Sequence, residues 1–289
     1  MKKFIITSIM LIAIFGLVLS GMEKRLDKFV GEKSFDIEGI KELVINNESW
    51  DLEFNNSESN KLTVTFEGKQ KDKKNDPVTI KSKSKRIIIS QQDEDGGFTD
   101  NFSFGKKGII HISIPQNALD TLTVNNSYGD IKMNDIKSKN VIISNDSGTA
   151  KIEGLSAEKG RFTSKDGELS LKESSLKNLT SASTSGDNYL MNVNSPNMNI
   201  TSVDGEVSVN DAVEGKTLLV ETKSGDITVA YKEVPTSLKI TANSNSSDIT
   251  LNLDSLKLDT DTEKSKVGTI GDASNQLELL SKYGTINAE

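Results

Sequence analysis

The sequence has no cysteine, one histidine, four prolines and one tryptophan, and aromatic residues fill only 5% of its 289 positions. Without cysteine there is no disulfide, no thiol nucleophile, no thiolate zinc site and no lipid-modified cysteine near the N-terminus. With His111 as the sole imidazole, a histidine-rich metal site is excluded, and a Ser-His-Asp triad would have to use that residue alone. No serine stands in a G-x-S-x-G setting, and Gly96-Gly97 lacks the Lys-Ser/Thr and the helix start of a phosphate loop. Arginine occurs only at Arg25, Arg86 and Arg161, the net charge is -7 and the pI is about 5.1, so the electrostatic footprint of a nucleic-acid binder is missing. The local basic run from Lys69 to Lys74 reads as a solvated loop. Hydrophobic residues, at 34%, are also scarce for a compact globule. Ser, Thr, Asn and Gly take their place, a mixture suited to short half-buried strands and tight turns.

What the chain does have begins with an export pattern. Lys2 and Lys3 precede an uncharged apolar run from Phe4 to Leu19, which ends at Ser20-Gly21. A charged start followed by such a run is the form of a signal segment. Extended to Met22, the run is long enough for one span of a bilayer, with the two lysines holding its start in the cytoplasm. Residues 1–22 are therefore expected to be a signal peptide or, in preference, an uncleaved single-pass membrane anchor. Residues 23–34 follow as a polar stalk, and the rest lies outside the cytoplasmic membrane.

Internal repetition is the strongest signal. An apolar-x-apolar phrase, a polar cluster, a glycine, an acid or threonine and a second apolar-x-apolar phrase recur from residue 120 onward. The turn glycines are Gly129, Gly148, Gly167, Gly186, Gly205 and Gly225, whose differences are 19, 19, 19, 19 and 20. Aligned on them, Val124, Ile143, Phe162, Ser181, Ile200 and Val220 form one column, and Ile131, Ala150, Leu169, Asn188, Val207 and Ile227 another. Alternation within each copy has period two, the pattern of a half-buried strand. One copy cannot enclose a core, but stacked copies turn each column into a continuous apolar ladder. The expected fold is all-β: a right-handed β-solenoid of ~19-residue coils over residues 35–289, irregular over 35–119 and regular over 120–289. The Gly186 coil, with Ser181 and Asn188 at core positions, is expected to be the weakest. Trp50 replaces the glycine in a founding coil, Ser247 takes the glycine place later, and Gly268 and Gly284 continue the series. Positive φ is the expected reason for the glycines.

A strand ending Ile112-Ser113-Ile114-Pro115, followed by repeated L-x-V/I-x-x-x-x-G-D/E-I-x-V phrases, resembles the bacterial adhesin-like β-solenoid domains of unknown function. With the N-terminal anchor, the arrangement is similar to the LiaG-like proteins of Gram-positive cell-envelope-stress operons. The resemblance implies a non-enzymatic, membrane-anchored, extracytoplasmic protein of surface binding or envelope stress, and it brings no catalytic residues with it.

The residues themselves allow two rivals, an enzyme acting on polysaccharide from a β-helix and an inert spacer. The residues after the turn glycines run Asp130, Thr149, Glu168, Asp187, Glu206 and Asp226, with Asp248 following Ser247. Such a column can be a cation ladder, a carboxylate pair for glycoside cleavage, or a solvated corner. Charges one rung apart in water repel by only about 0.9 kcal/mol, so the column needs no metal, and the solvated corner is the reading adopted. His111, alternating with Ile110, Ile112 and Ile114, is expected on the solvent face. No catalytic, cofactor-binding or metal residue is assigned, and no cofactor. The expected partners are the cytoplasmic membrane and envelope polysaccharide or membrane proteins, met by flat stacks of Ser, Thr and Asn, with no role for nucleic acid.

Overall fold

The computed structural model describes residues 27–70, 76–92, 108–116, 119–246 and 248–289. The expected anchor at 1–22, residues 71–74 of the basic run, the glycine-rich segment 93–107 and Ser247 lie outside the described residues. Among the described residues every regular element is a strand, and the strands join into one 24-stranded sheet. It begins at Asp27, inside the segment read as a stalk.

The sheet winds as stacked coils, each with one strand before the turn and one after it. In the regular part the partners are parallel and one repeat apart. Ile143 pairs with Val124 on one side and Phe162 on the other. Ala150 lies between Ile131 and Leu169 in the same way. The two columns read from the sequence are thus real ladders, and all their members are buried. Each fully buried Val, Ile or Leu contributes on the order of 1.5–3 kcal/mol, and the summed ladder holds the stack together.

The Gly186 coil carries its polar core residues without leaving them stranded. Ser181 Oγ donates to Asn188 Oδ1 at 2.5 Å, and Asn188 Nδ2 donates to Ser183 Oγ at 2.9 Å. A cavity of only about 10 Å³ remains between Ala150, Phe162, Ser181 and Asn188. The large Phe162 fills the room that these small neighbours leave.

Sterics of stacking account for the turn glycines. Of the six, only Gly148 has positive φ, at 90°. A Cβ at Gly186 would lie 1.9 Å from the Gly167 carbonyl oxygen, one at Gly205 2.2 Å from that of Gly186, and one at Gly225 1.9 Å from that of Gly205. The backbones approach too closely for any side chain, which corrects the positive-φ expectation. Positive φ belongs to a second corner instead. Asp135 (54°), Gly154 (69°), Glu173 (48°), Asn192 (52°) and Asp211 (49°) stand there, each 19 residues after the last.

Chain order and spatial order part company at both ends. The strand Glu42–Asn47 of the Trp50 coil lies between Arg86–Gln91 and Leu119–Asn126, so the first coil is inserted between the second and third. At the other end, Asn275–Ser281 of the Gly284 coil lies between Thr217–Thr222 and Leu238–Ser244. Gly284 therefore stacks on Gly225, and coil 238–251 is outermost. Gly268 is not a turn at all. It sits inside the strand Ser265–Ile270, which runs antiparallel to Leu238–Ser244 and Lys257–Asp261 as a cap. Antiparallel strands Val78–Lys83, Lys61–Gln70 and Asp27–Asp36 cap the opposite end.

Glu214 ties the inverted C-terminal coils. Met191 pairs with Asn210, an offset of 19, whereas Asn197 pairs with Thr217, an offset of 20, so the additional residue falls between them. The carboxylate there accepts from Thr236 N at 2.8 Å, Thr236 Oγ1 at 3.1 Å, Ser237 N at 3.0 Å and Asn275 Nδ2 at 2.9 Å. Burial alone would raise its pKa, but these four donors outweigh burial and hold it below the ordinary glutamate value.

Candidate functional site

The acidic corner is used by the backbone. Asp130 Oδ1 accepts from Thr149 N at 2.9 Å, Asp187 Oδ1 from Glu206 N at 2.8 Å and Asp226 Oδ1 from Thr285 N at 2.7 Å. Asp51, after Trp50, does the same for Asp130 N at 3.1 Å. Each of these four aspartates thus closes one amide of the next rung. The rung above Asp226 is Thr285, so Asp248 does not continue that column directly. Asp187 also accepts the Tyr189 hydroxyl at 3.0 Å; burial first, then this bond, raises the phenol to about 12. Among the described residues no three His, Asp or Glu side chains gather in a way that could hold a metal ion.

His111 lies on the outer face as expected, with Nδ1 3.0 Å from Glu53 Oε2 on the neighbouring strand, while Ile110, Ile112 and Ile114 are buried. Both partners are part-exposed, and the pair joins two rungs.

Inside the turn runs a buried polar ladder three positions before each turn residue. Asn47 Nδ2 donates to Trp50 O and to Asn126 Oδ1, both at 2.5 Å. Asn126 Nδ2 donates to Gly129 O and, at 2.6 Å, to Asn145 Oδ1. Asn145 Nδ2 donates to Gly148 O at 2.7 Å, Ser164 Oγ to Gly167 O at 2.6 Å and Thr222 Oγ1 to Gly225 O at 2.6 Å. Ser202 and Ser281 accept from Gly205 N and Gly284 N instead. The glycine column and this ladder are one device: glycine allows the close turn, and the amide or hydroxyl satisfies its carbonyl or amide.

Two concave surfaces lie outside the ladders. One, of about 520 Å³, crosses the coils at Leu119, Ser138, Ala157 and Leu176 and is flanked by Asp120, Lys139, Glu158 and Lys177. These charges recur every 19 residues with alternating sign. Lys139 reaches Asp120 at 2.8 Å, Lys177 reaches Glu158 at 3.2 Å, and Lys41 lies 4.0 Å from Asp120 on the other side. The Lys139 hydrogen bond, with the charges of Lys139, Lys41 and Lys85, lowers the Asp120 pKa, and the same bond raises that of Lys139. The pairs are already made, so this surface is a register device between like rungs.

The other surface, of about 430 Å³, is lined by polar and acidic residues, Asn46, Ser90, Gln92, Asn125, Ser127 and Ser144 among them. Beneath it Asn47, Gln91 and Asn126 are buried at 4%, 2% and 3% exposure. Gln91 Oε1 accepts from Glu48 N at 3.0 Å and Ser49 N at 2.9 Å, so the floor is fixed. The sequence reading anticipated exposed stacks of this chemistry but not their concavity. That arises because Gln91, 44 residues from Asn47, is its partner in the neighbouring rung. Among the described residues no helix is long and apolar enough to cross a membrane.

Comparison with known proteins bears on the fold. A family model described as Toastrack DUF4097 matches residues 40–289. A candidate adhesin from Bacteroides fragilis NCTC 9343 superposes with a TM-score of 0.53 at 13% identity, covering 90% of this chain and 96% of its own. A candidate lipid-binding protein from Parabacteroides distasonis ATCC 8503 gives 0.51 at 15% identity, again covering 90% and 96%. No curated protein matches. At such identities the likeness of solved structures speaks for the fold alone. The family match takes in every repeat of the solenoid, and by it the chain belongs to the Toastrack DUF4097 family.

Proposed function

We propose that the chain is a non-enzymatic, adhesin-like recognition module of the cell envelope. Residues 1–22 anchor it in the cytoplasmic membrane as a single pass, and residues 35–289 stand outside as a right-handed β-solenoid. The observation that carries the reading is the use made of its polar groups. Asp130, Asp187 and Asp226 of the acidic column are occupied with backbone amides, while a concave face of Asn, Ser and Gln is left open above a fixed floor. A rigid surface with open donors and acceptors suits binding without turnover. The adhesin-like resemblance and the adhesin description of the Bacteroides fragilis protein agree with such a role.

The test pairs location with binding. Protease added to intact cells should remove the solenoid while sparing cytoplasmic controls, and the purified protein should sediment with isolated envelope. Incubation with the same envelope should release no new reducing ends. Protection from protease, failure to sediment, or release of reducing ends would each defeat the corresponding part of the proposal.

A further inference from the structure

We infer that the concave polar surface at Asn46 and Asn125 is a binding site for a neutral, hydroxyl-rich saccharide; the inference rests on the recognition role proposed above and names its ligand class. Three observations meet there. The first is uncommitted hydrogen-bonding capacity. Asn125 Nδ2 donates to Asn46 Oδ1 at 2.9 Å, which fixes both amides and leaves Asn46 Nδ2 and Asn125 Oδ1 without a protein partner among the described residues. Ser90, Gln92 and Ser127 add hydroxyl and amide groups in the same condition. A sugar hydroxyl both donates and accepts, so a surface mixing amide NH2, amide carbonyl and hydroxyl groups can satisfy successive hydroxyls.

The second observation is preorganisation. The layer beneath is the buried ladder of Asn47, Asn126 and Gln91, whose bonds are internal, so the exposed amides stand on strands that cannot shift register without breaking it. Binding then costs little ordering of the protein. At about 430 Å³ the concavity lies within the roughly 300–1,000 Å³ of ordinary small-ligand sites.

The third is the rim. Tyr128 follows the lining residue Ser127 in the same turn and is 70% exposed, so its ring is free to offer an apolar face to a bound sugar. The charged lining residues are Glu48 and Asp146, both acidic. A polyanionic glycan is disfavoured by these carboxylates, and a neutral or N-acetylated one is not.

The test uses the full chain in detergent, titrated calorimetrically with tetra-N-acetylchitotetraose, maltotetraose and, as the polyanion, tetragalacturonate. The expected result is binding of at least one neutral tetrasaccharide, weakened tenfold or more by N46A/N125A and by Y128A, with unfolding midpoints unchanged and no binding of tetragalacturonate. Undiminished binding in both variants, or tetragalacturonate as the preferred ligand, would overturn the inference. So would absence of neutral binding at millimolar concentration. A parallel envelope-sedimentation arm separates the two levels. Wild-type protein that sediments while N46A/N125A sediments equally well defeats this site and leaves the recognition role standing. Wild-type protein that does not sediment defeats the role itself.

Discussion

Replacing Asn126 by alanine isolates the buried ladder from the apolar columns around it. The side chain is 3% exposed, donates to Gly129 O and Asn145 Oδ1, and accepts from Asn47 Nδ2. Alanine removes all three bonds and leaves two buried acceptors, Gly129 O and Asn145 Oδ1, without those donors. At roughly 1–3 kcal/mol for each stranded group, the loss should be about 3–4 kcal/mol. Serine offers an internal comparison, because Ser164 already satisfies Gly167 O at 2.6 Å from the equivalent position. Asn126→Ser restores the bond to Gly129 O but cannot reach Asn145, so it should cost about 1–2 kcal/mol. Asn125→Ala, one residue away and exposed, should cost less than about 0.5 kcal/mol. Guanidinium unfolding followed by far-ultraviolet circular dichroism, and by fluorescence of Trp50, whose carbonyl is Asn47's partner, measures all three. Equal losses for Asn126→Ala and Asn125→Ala would refute the ladder, and so would a serine variant no better than alanine.

Other consequences follow from the corners and the C-terminal clamp. Gly186→Ala should destabilise by about 1–3 kcal/mol or more, because its Cβ would overlap the Gly167 carbonyl; Gly39→Ala, in open space at φ 82°, should lose only about 1 kcal/mol, and denaturation midpoints compare them. Glu173→Asn should raise stability by about 0.5–1 kcal/mol, since asparagine tolerates the left-handed backbone held there at φ 48°. Alanine at Asp130, Asp187 and Asp226 should cost about 1 kcal/mol each through the lost amide bonds, and calcium chelation should shift the melting temperature of neither the wild type nor the variants. Glu214 has its folded pKa below the ordinary value of 4.5, so its stabilisation is present above that pH and is lost as pH falls through the folded pKa. Amide protection factors in 236–246 and 248–281 should therefore fall below about pH 4.5, and Glu214→Gln should show weaker protection at neutral pH with a flatter acid response.

The apolar columns and the glycine column were legible because period-two burial and a fixed repeat act on residue types that carry the signal openly. Ile143, Leu169 and Val207 occupy the rungs their spacing assigns. The physical reason for the glycines was not legible, since a tight carbonyl approach and a positive φ select the same residue. The second corner was hidden for a related reason: four of its five members are Asp, Glu or Asn, residues that the eye assigns to solvent. Charges at Asp120, Lys139, Glu158 and Lys177 keep the same period, but their alternating sign makes no uniform column beside the glycines. The polar concavity needed three-dimensional knowledge, because Asn46 and Asn47 meet Asn125 and Asn126 only once the coil order is inverted.

That inversion has a mechanical logic. In a stack of repeats the outermost coil has one face without a neighbour and frays first. Had coil 238–251 stacked on Thr217–Thr222 in chain order, the Gly284 coil would have been the exposed one, held by a single crossover. Inserted instead, Leu277 and Leu279 are covered on both sides, at 1% and 0% exposure, by Leu218 and Val220 below and Ile240 and Ala242 above. Coil 238–251 then serves as the outermost coil beneath the antiparallel cap, and fraying it would also release Glu214's bonds to Thr236 and Ser237. The Trp50 coil uses the same arrangement, with Leu43 and Ile45 at 0% exposure between Ile87 and Ile89 on one side and Leu122 and Val124 on the other. The antiparallel caps then meet solvent with short or charged edges, Lys81 and Lys83 at one end and Lys257 and Asp259 at the other, which discourages pairing with a further chain. The same ordering sets Asn125 against Asn46, so the device that protects the N-terminal end of the stack also builds the polar concavity there.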